Sequence, residues 1–183
     1  MMIYADNAAT TSTSEVALKA MMPYFSEIYA NPSSLHSAGQ RAAEALLNAR
    51  ERVAACLGAT AREIYFTSGG SESDNQALVS AARIGARKGK KHIISTAFEH
   101  HAVLHTLEKL KKEGFEVTLL PVGTLGTVTA QQVADTIRDD TCLVSVMYAN
   151  NEIKEESANL CLSNVGGCKV SRTNNSIKHK QPV

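Results

Sequence analysis

The sequence lacks most of the features that would betray a function at first sight. It has no excess charge: 19 basic and 18 acidic residues leave a formal charge of +1. Its densest basic cluster is Arg87, Lys88, Lys90 and Lys91. Nucleic-acid binding rests on phosphate neutralisation, and so balanced a chain argues against it; the cluster reads as a solvated helix end leading into a strand. No uncharged apolar run approaches the ~18 to 20 residues that span a bilayer, which argues against a membrane-spanning helix. The first twenty residues contain Asp6 and Glu15 and lack a basic segment followed by an apolar one. No secretory signal is visible, and the expected location is the cytoplasm. Cysteine is sparse, with only Cys56, Cys142, Cys161 and Cys168 and no C-x-x-C pair. That spacing fits neither a zinc site nor a secreted disulfide framework, so reduced thiols are expected. Cys56, on the apolar side of a helix, and Cys142, at the start of an apolar strand, are expected in the core.

What is present is the balance of a soluble globular protein, 44% hydrophobic and 20% charged over 183 residues. Disorder, collagen and coiled coil are excluded as overall descriptions. A chain of this length hides about two thirds of its unfolded surface, enough for a core without metal or disulfides. Ala42, Ala45, Leu46, Ala49, Val53 and Leu57 form one apolar stripe, which predicts a helix over 41–57 with Gly58 as its stop. A short β-type run follows at 64–66, then a helix at 71–86, a strand at 92–96 and a helix at 99–112 stopped by Gly114. A strand at 117–122, a helix at 130–138 and a strand at 142–148 complete the pattern. Short apolar strands alternating with amphipathic helices indicate an α/β fold with a mostly parallel sheet. The sheet's last edge, after 142–148, is left uncovered, an aggregation liability.

The composition shifts after Ile153. Residues 154–183 hold five basic residues against two acidic ones, with Asn and Ser interspersed and no helical or strand period. The expected organisation is therefore a body over 1–153 and a loosely ordered tail over 154–183.

Three segments carry candidate chemistry. Residues 66–74 run from a strand through Gly69-Gly70 into a helix. The glycines allow close backbone approach, and the helix N-terminus offers free N–H groups to an anion. Ser71 is placed to be the N-cap, with Asp74 as the acidic member of a capping box. The loop has neither the lysine of a P-loop nor a G-x-G-x-x-G spacing, so ATP and NAD are disfavoured; a phosphate site and an ordinary βα turn both remain open. Glu99-His100-His101 follows the strand ending at Thr96, at the carboxyl edge where open α/β sheets place ligands. Neighbouring histidines on a helix point about 100° apart and do not share a metal. For either one, a ring in a pocket competes with simple capping or packing beside the turn. Asn150-Asn151-Glu152 follows the strand 142–148, where side-chain amides can orient a polar ligand or merely make a turn.

Five ordered segments together resemble one family. They are 4–11 (YADNAATT), 31–36 (NPSSLH), 66–75 (FTSGGSESDN), 99–103 (EHHAV) and 150–153 (NNEI), and they resemble the N-terminal part of the cysteine desulfurases, pyridoxal phosphate enzymes of the class V aminotransferase type. The resemblance implies the large-domain α/β architecture of a fold-type I pyridoxal phosphate transferase. It implies that Gly70 and Ser71 hold the cofactor phosphate, that His100 stacks on the pyridine ring and assists proton transfer, and that Asn151 hydrogen-bonds the phenolic oxygen. His36 and the turn at 31–34 are implied near the active-site entrance of a homodimer. The implied reaction takes L-cysteine to alanine, with sulfur passed to an enzyme cysteine and on to iron–sulfur or thiolation partners.

The resemblance stops at 153. The family's acidic partner to the pyridine nitrogen, its Schiff-base lysine and its sulfur-carrying cysteine have no matching context here, and cofactor chemistry depends on such groups for orientation and electronic tuning. The run 176–180 (SIKHK) resembles the lysine's context faintly, but it has one extra residue and comes too soon after Asn151; Lys180 reads as a solvated terminus. Cys161 and Cys168 read as incidental thiols. A truncated, frameshifted or aberrantly joined product is the expectation, inactive alone, with weak pyridoxal phosphate binding through Gly70, Ser71, His100 and Asn151. The alternatives are a non-catalytic fragment that pairs with an intact subunit, or another class V enzyme such as a selenocysteine lyase or aminotransferase.

Overall fold

The protein is represented by a computed structural model that describes residues 3–7, 9–123, 126–148 and 150. The expected tail over 154–183, and with it Asn151, Cys161, Cys168 and Lys180, lies outside the described residues. Two units divide the chain, residues 1–66 and residues 67–183.

The first unit is helical. Helix α1 (Glu15–Met21) starts where the Ser14 side chain accepts the Ala17 N–H, and α2 (Pro23–Ser26) starts with a proline in its first turn, a position where the missing N–H costs nothing. The long α3 (Ser37–Leu57) begins four residues before the apolar stripe predicts, because His36 acts as its N-cap through Nδ1, which accepts the Gly39 N–H at 3.2 Å. Gly39 is forced: a Cβ there would overlap the Ser34 carbonyl oxygen and meet the Asn31 carbonyl oxygen at 2.9 Å. Gly58 ends the helix at φ +66°, as the sequence suggests.

Two expectations fail in this unit. Residues 64–66 are extended but pair with no strand among the described residues, and Tyr65 and Phe66 are exposed. A β-rich run forms a strand only where a neighbour satisfies its backbone, so local composition misled. Cys56 is exposed, not in the core. The buried residues of α3 are Gly39 and Ala54, and Cys56 lies two positions from Ala54, on the far side of the helix at about 100° per residue.

The second unit holds a parallel three-stranded sheet, in the order β2 (Glu116–Leu120), β1 (His92–Thr96), β3 (Thr141–Val144). All five residues of β1 are buried, as a central strand covered on both faces requires. On one face Ile93 and Leu143 pack with Leu78 and Ala82 of α4 (Gly70–Ala86), Val103, Leu107 and Leu110 of α5 (His101–Lys112), and Phe115. On the other, Ile94, Leu120 and Val144 pack with Val128 and with Val133 of α6 (Ala130–Thr136). The switch of face between Ile93 and Ile94 is the period-2 alternation of a strand. Cys142 is half-buried against the first cluster and sits so close to Gly85 that a Cβ on that glycine would overlap its side chain.

At the amino end of the sheet, the fully buried His92 ties the three strands together. Its Nδ1 lies 2.8 Å from Thr141 Oγ1 and its Nε2 2.9 Å from Thr118 Oγ1. Burial and the nearby Arg138 charge hold its pKa below the ordinary value. Two strands are shorter than the sequence predicts: β2 ends at Leu120, before Pro121, and β3 ends at Val144, not Tyr148. Beyond Val144, among the described residues only Ser145 continues the ladder, through its N–H to Ile94 O, and the Met147 N–H goes to a side chain.

Candidate functional site

Three segments of the second unit carry the candidate residues: the loop 67–69 with the start of α4, and, past the carboxyl ends of β1 and β3, residues 97–100 and residues 145–148 with Asn150. The first is held shut by its own polar groups. Thr67 Oγ1 bonds Ser73 Oγ at 2.6 Å, and the Glu72 carboxylate reaches back to the Ser68 N–H at 2.6 Å and the Ser68 hydroxyl at 2.7 Å. These bonds hold the Glu72 pKa below its usual value.

The expected cap is thus displaced. Gly69 is the N-cap, with no side-chain bond, and Gly70 is the first helical residue. Ser71 lies inside the helix, and the acidic group that reaches back is Glu72, not Asp74. The bonds from the Glu72 carboxylate to the Ser68 N–H and hydroxyl close the turn before Gly70, so the helix begins one residue earlier than expected.

This turn leaves an open face. A Cβ on Gly69 or Gly70 would meet nothing within 4 Å. The N–H groups of Gly70, Ser71 and Glu72 belong to a first helical turn and have no intrahelical acceptor. Ser71 is exposed, and its hydroxyl has no hydrogen bond among the described residues.

Asp74, one turn on, connects this helix to the second loop. Burial raises its pKa, and the nearby His100 opposes the rise. Thr106 Oγ1 of α5 donates to Asn75 Oδ1 at 2.5 Å, and Asn75 Nδ2 donates to Ser71 O at 2.7 Å. His100 is the N-cap of α5, its Nδ1 accepting the Ala102 N–H at 3.1 Å, so α5 begins at His101 rather than at 99. The capping function weighed for this histidine is real, and it has a chemical consequence: with Nδ1 an acceptor, the neutral ring carries its proton on Nε2. The His101 ring lies edge-on to that of His100 at 6.3 Å and tilted against His105 at 5.7 Å. Among the described residues no group of three or more His, Cys, Asp or Glu is arranged to hold a metal ion.

Glu99 is the feature the sequence did not single out beyond its place beside His100. It is only 6% exposed. Its Oε1 accepts the Thr96 hydroxyl at 3.1 Å and the Met147 N–H at 2.7 Å. Burial pushes its carboxyl up to about 7, with the two hydrogen bonds opposing and the Asp74 charge adding to the rise. Asn150 Nδ2 donates to Phe98 O at 2.6 Å, a second tie between the same two loops. The only legible signal was a carboxylate three residues past the end of a buried strand, an uncommon place for an unpaired acid.

Comparison with known proteins places this arrangement. The family model described as Aminotransferase class-V matches residues 3–153. The chain belongs to the class V aminotransferase family. Among curated relatives, "Cysteine desulfurase IscS" of Methanosarcina thermophila is 50% identical over 151 residues, covering 82% of this chain and 37% of that protein. "Putative cysteine desulfurase IscS 1" of Bacillus subtilis (strain 168) is also 50% identical over 151 residues, covering 40% of that protein. Of solved structures, a "NIFS-LIKE PROTEIN" superposes with a TM-score of 0.78 at 40% identity, covering 82% of this chain and 41% of that one. "SspA in complex with cysteine" gives a TM-score of 0.76, also at 40% identity, and covers 81% and 43%. This class V aminotransferase chain thus spans well under half the length of the relatives it matches, and the expected large-domain α/β architecture is the one it has.

The family is pyridoxal phosphate-dependent, and the described residues suit the cofactor's phosphate. Open space above two glycines, first-turn N–H groups, the positive end of a 17-residue helix and a hydroxyl with no bond of its own are the donor set an anion needs. No Lys or Arg lies in residues 67–75, and Glu72 adds a negative charge, so within this segment the attraction for an anion comes from the backbone dipoles. Asn151, the expected partner of the phenolic oxygen, lies outside the described residues. His36, expected near the entrance, belongs to the first unit, where it caps α3.

Proposed function

We propose that this chain provides the phosphate-binding and ring-facing part of a pyridoxal phosphate-dependent cysteine desulfurase site. The observation that carries the reading is the open glycine turn at the start of α4, in the same unit as His100 at the start of α5. The 50% identity to proteins named cysteine desulfurase supports it. In this reading the N–H groups of Gly70 and Ser71 and the Ser71 hydroxyl bind the phosphate. His100 packs on the ring, and its Nε2, the nitrogen left free by the cap, holds or moves a proton. Asn151 takes the phenolic oxygen. When bound, the cofactor supplies an electron sink for the carbanion formed at the substrate's α-carbon.

L-cysteine is the proposed substrate, and the family's homodimer, sulfur acceptor in iron–sulfur or thiolation pathways, and cytoplasmic location are part of the same proposal. No residue of this sequence is assigned to hold the cofactor covalently, to pair with its pyridine nitrogen or to carry sulfur. We therefore propose that the 183 residues bind the cofactor weakly and do not turn over cysteine by themselves. The test is a fluorescence titration of the full chain with pyridoxal 5'-phosphate and, in parallel, with pyridoxal. Binding at least tenfold tighter with the phosphate, weakened several-fold in Ser71→Ala, is expected; equal binding of the two ligands would refute the phosphate site. A borohydride-stable adduct on a single lysine, together with alanine release from cysteine, would refute the inactive reading.

A second reading, a non-catalytic partner for an intact subunit, is favoured by the first unit. Val16, Phe25, Tyr29 and Leu35 are 80%, 69%, 75% and 92% exposed, far more large apolar surface than a solitary soluble chain usually shows. Co-purification with a full-length cysteine desulfurase is expected on this reading. A strictly monomeric chain that leaves such an enzyme untouched would remove it.

A further inference from the structure

We propose that Glu99 is a positioning residue: its carboxyl group fastens the loop that presents His100 to the loop that carries Asn150, and so fixes where the His100 ring stands at the carboxyl edge of the sheet. What His100 does there rests on the cofactor reading above, whereas the fastening involves only this chain's own atoms.

The argument starts from the sheet. Strands β1 and β3 are in register as far as Ile94 and Val144, and the last rung between them is the Ser145 N–H to Ile94 O. Past that rung no backbone–backbone hydrogen bond joins the two segments among the described residues, and side chains take over. Glu99 supplies the first tie. Its Oε1 accepts Thr96 Oγ1 at 3.1 Å from its own strand end and the Met147 N–H at 2.7 Å from the neighbouring loop. The second tie is Asn150 Nδ2 to Phe98 O at 2.6 Å.

Because Glu99 is buried, loss of its carboxyl takes from the half-buried Met147 N–H the acceptor it has in this structure, and an amide left without its acceptor disfavours the loop's present conformation. The loop then has a reason to rearrange rather than stay put. His100 is the very next residue, and its extended backbone, φ −58° and ψ 147°, sets the cap on Ala102. A shift at Glu99 is passed on directly, through one peptide unit. Oε1 can accept both bonds whether the group is charged or protonated, and a glutamine oxygen can do the same, so acceptor geometry rather than charge carries the effect.

The test uses the full 183-residue chain, labelled for NMR, as wild type, Glu99→Ala, Glu99→Gln and Thr96→Val. In Glu99→Ala the Met147 amide should exchange at least tenfold faster. The Ala102 amide and the His100 ring signals should move, with loss of the ¹⁵N shift that marks Nδ1 as an unprotonated acceptor. The amides of Leu107 and Leu110 should stay protected. Glu99→Gln should restore both sets of signals, and Thr96→Val, which keeps the Met147 bond, should move the His100 ring by a smaller amount. Unchanged His100 signals in a folded Glu99→Ala protein would overturn the proposal; if that variant unfolds, unchanged signals in Thr96→Val would do so. Pyridoxal phosphate titration of the same samples separates the two layers. Wild type that binds cofactor while His100 ignores Glu99 refutes the positioning role and leaves the cofactor reading standing. His100 that follows Glu99 in a chain that does not bind cofactor upholds the positioning role and refutes the cofactor reading.

Discussion

The unusual state of Glu99 makes a prediction that needs no ligand. Its carboxyl titrates at about 7 in the folded chain, against an ordinary 4.5. One pKa unit is worth 1.36 kcal/mol, so the gap corresponds to an energy on the order of 3 kcal/mol. The sign follows from proton counting. Between the two values the folded chain holds the proton and the unfolded chain has lost it, so stability falls as pH rises through this window. Below it both states are protonated, and above it the loss is complete. Replacement by glutamine removes the titration. Asp74, raised by burial, acts in the same direction, whereas the carboxyls of Glu72, Glu116 and Asp140 are lowered by their hydrogen-bond partners and lose stability only in acid. His92, lowered by burial, gains stability as pH rises towards the ordinary histidine value. Subtracting the glutamine variant cancels these contributions. The assay is urea denaturation of the full chain and of Glu99→Gln between pH 5 and 8, followed by circular dichroism. The stability of wild type relative to the variant should drop by about 2 to 3 kcal/mol across that range. A flat difference, or one that rises with pH, would refute the claim that this carboxyl is buried as described.

Other outcomes follow from packing. Gly85→Ala should destabilise the chain by about 1–3 kcal/mol, because the added methyl overlaps Cys142 on β3 and overpacking costs that much in a tight core; urea denaturation reads it. Ser95, fully buried in β1, has a hydroxyl without a hydrogen-bond partner among the described residues, so Ser95→Ala should be neutral or stabilising by up to about 1 kcal/mol. Gly70→Ala places a methyl in the open face of the turn without touching protein atoms. It should leave thermal stability unchanged or slightly raised, while cofactor binding in a fluorescence titration falls by at least fivefold.

The elements that were legible in the sequence are those whose apolar residues report their own burial. Strand β1 was found with its true bounds because every residue in it is inside, and α4 and α5 were found as the helices that alternate with the strands. What escaped depends on distant partners. Residues 64–66 have strand composition but pair with no strand among the described residues, and a hydrogen-bonded neighbour cannot be read from three local residues. The cap of α4 was misassigned because Ser68 with Glu72 and Ser71 with Asp74 offer similar pairs, and only the conformation of Gly69 and Gly70 selects between them. Cys56 was misplaced because little of α3 is covered within its own unit. At the site, His100 was recognisable, but Glu99 was not, since its importance comes from the amide of Met147, 48 residues away in sequence.

The central claim is that the turn at Gly70 and Ser71 together with His100 forms a pyridoxal phosphate site. An amide and ring chemical-shift titration of the full chain with pyridoxal 5'-phosphate tests it most directly. The account predicts saturable shifts of the Gly70, Ser71 and Glu72 amides and of the His100 ring, with matching midpoints, while the signals of β2 and α6 stay still. Shifts scattered over lysine neighbours elsewhere, with these residues unmoved at saturation, would contradict it.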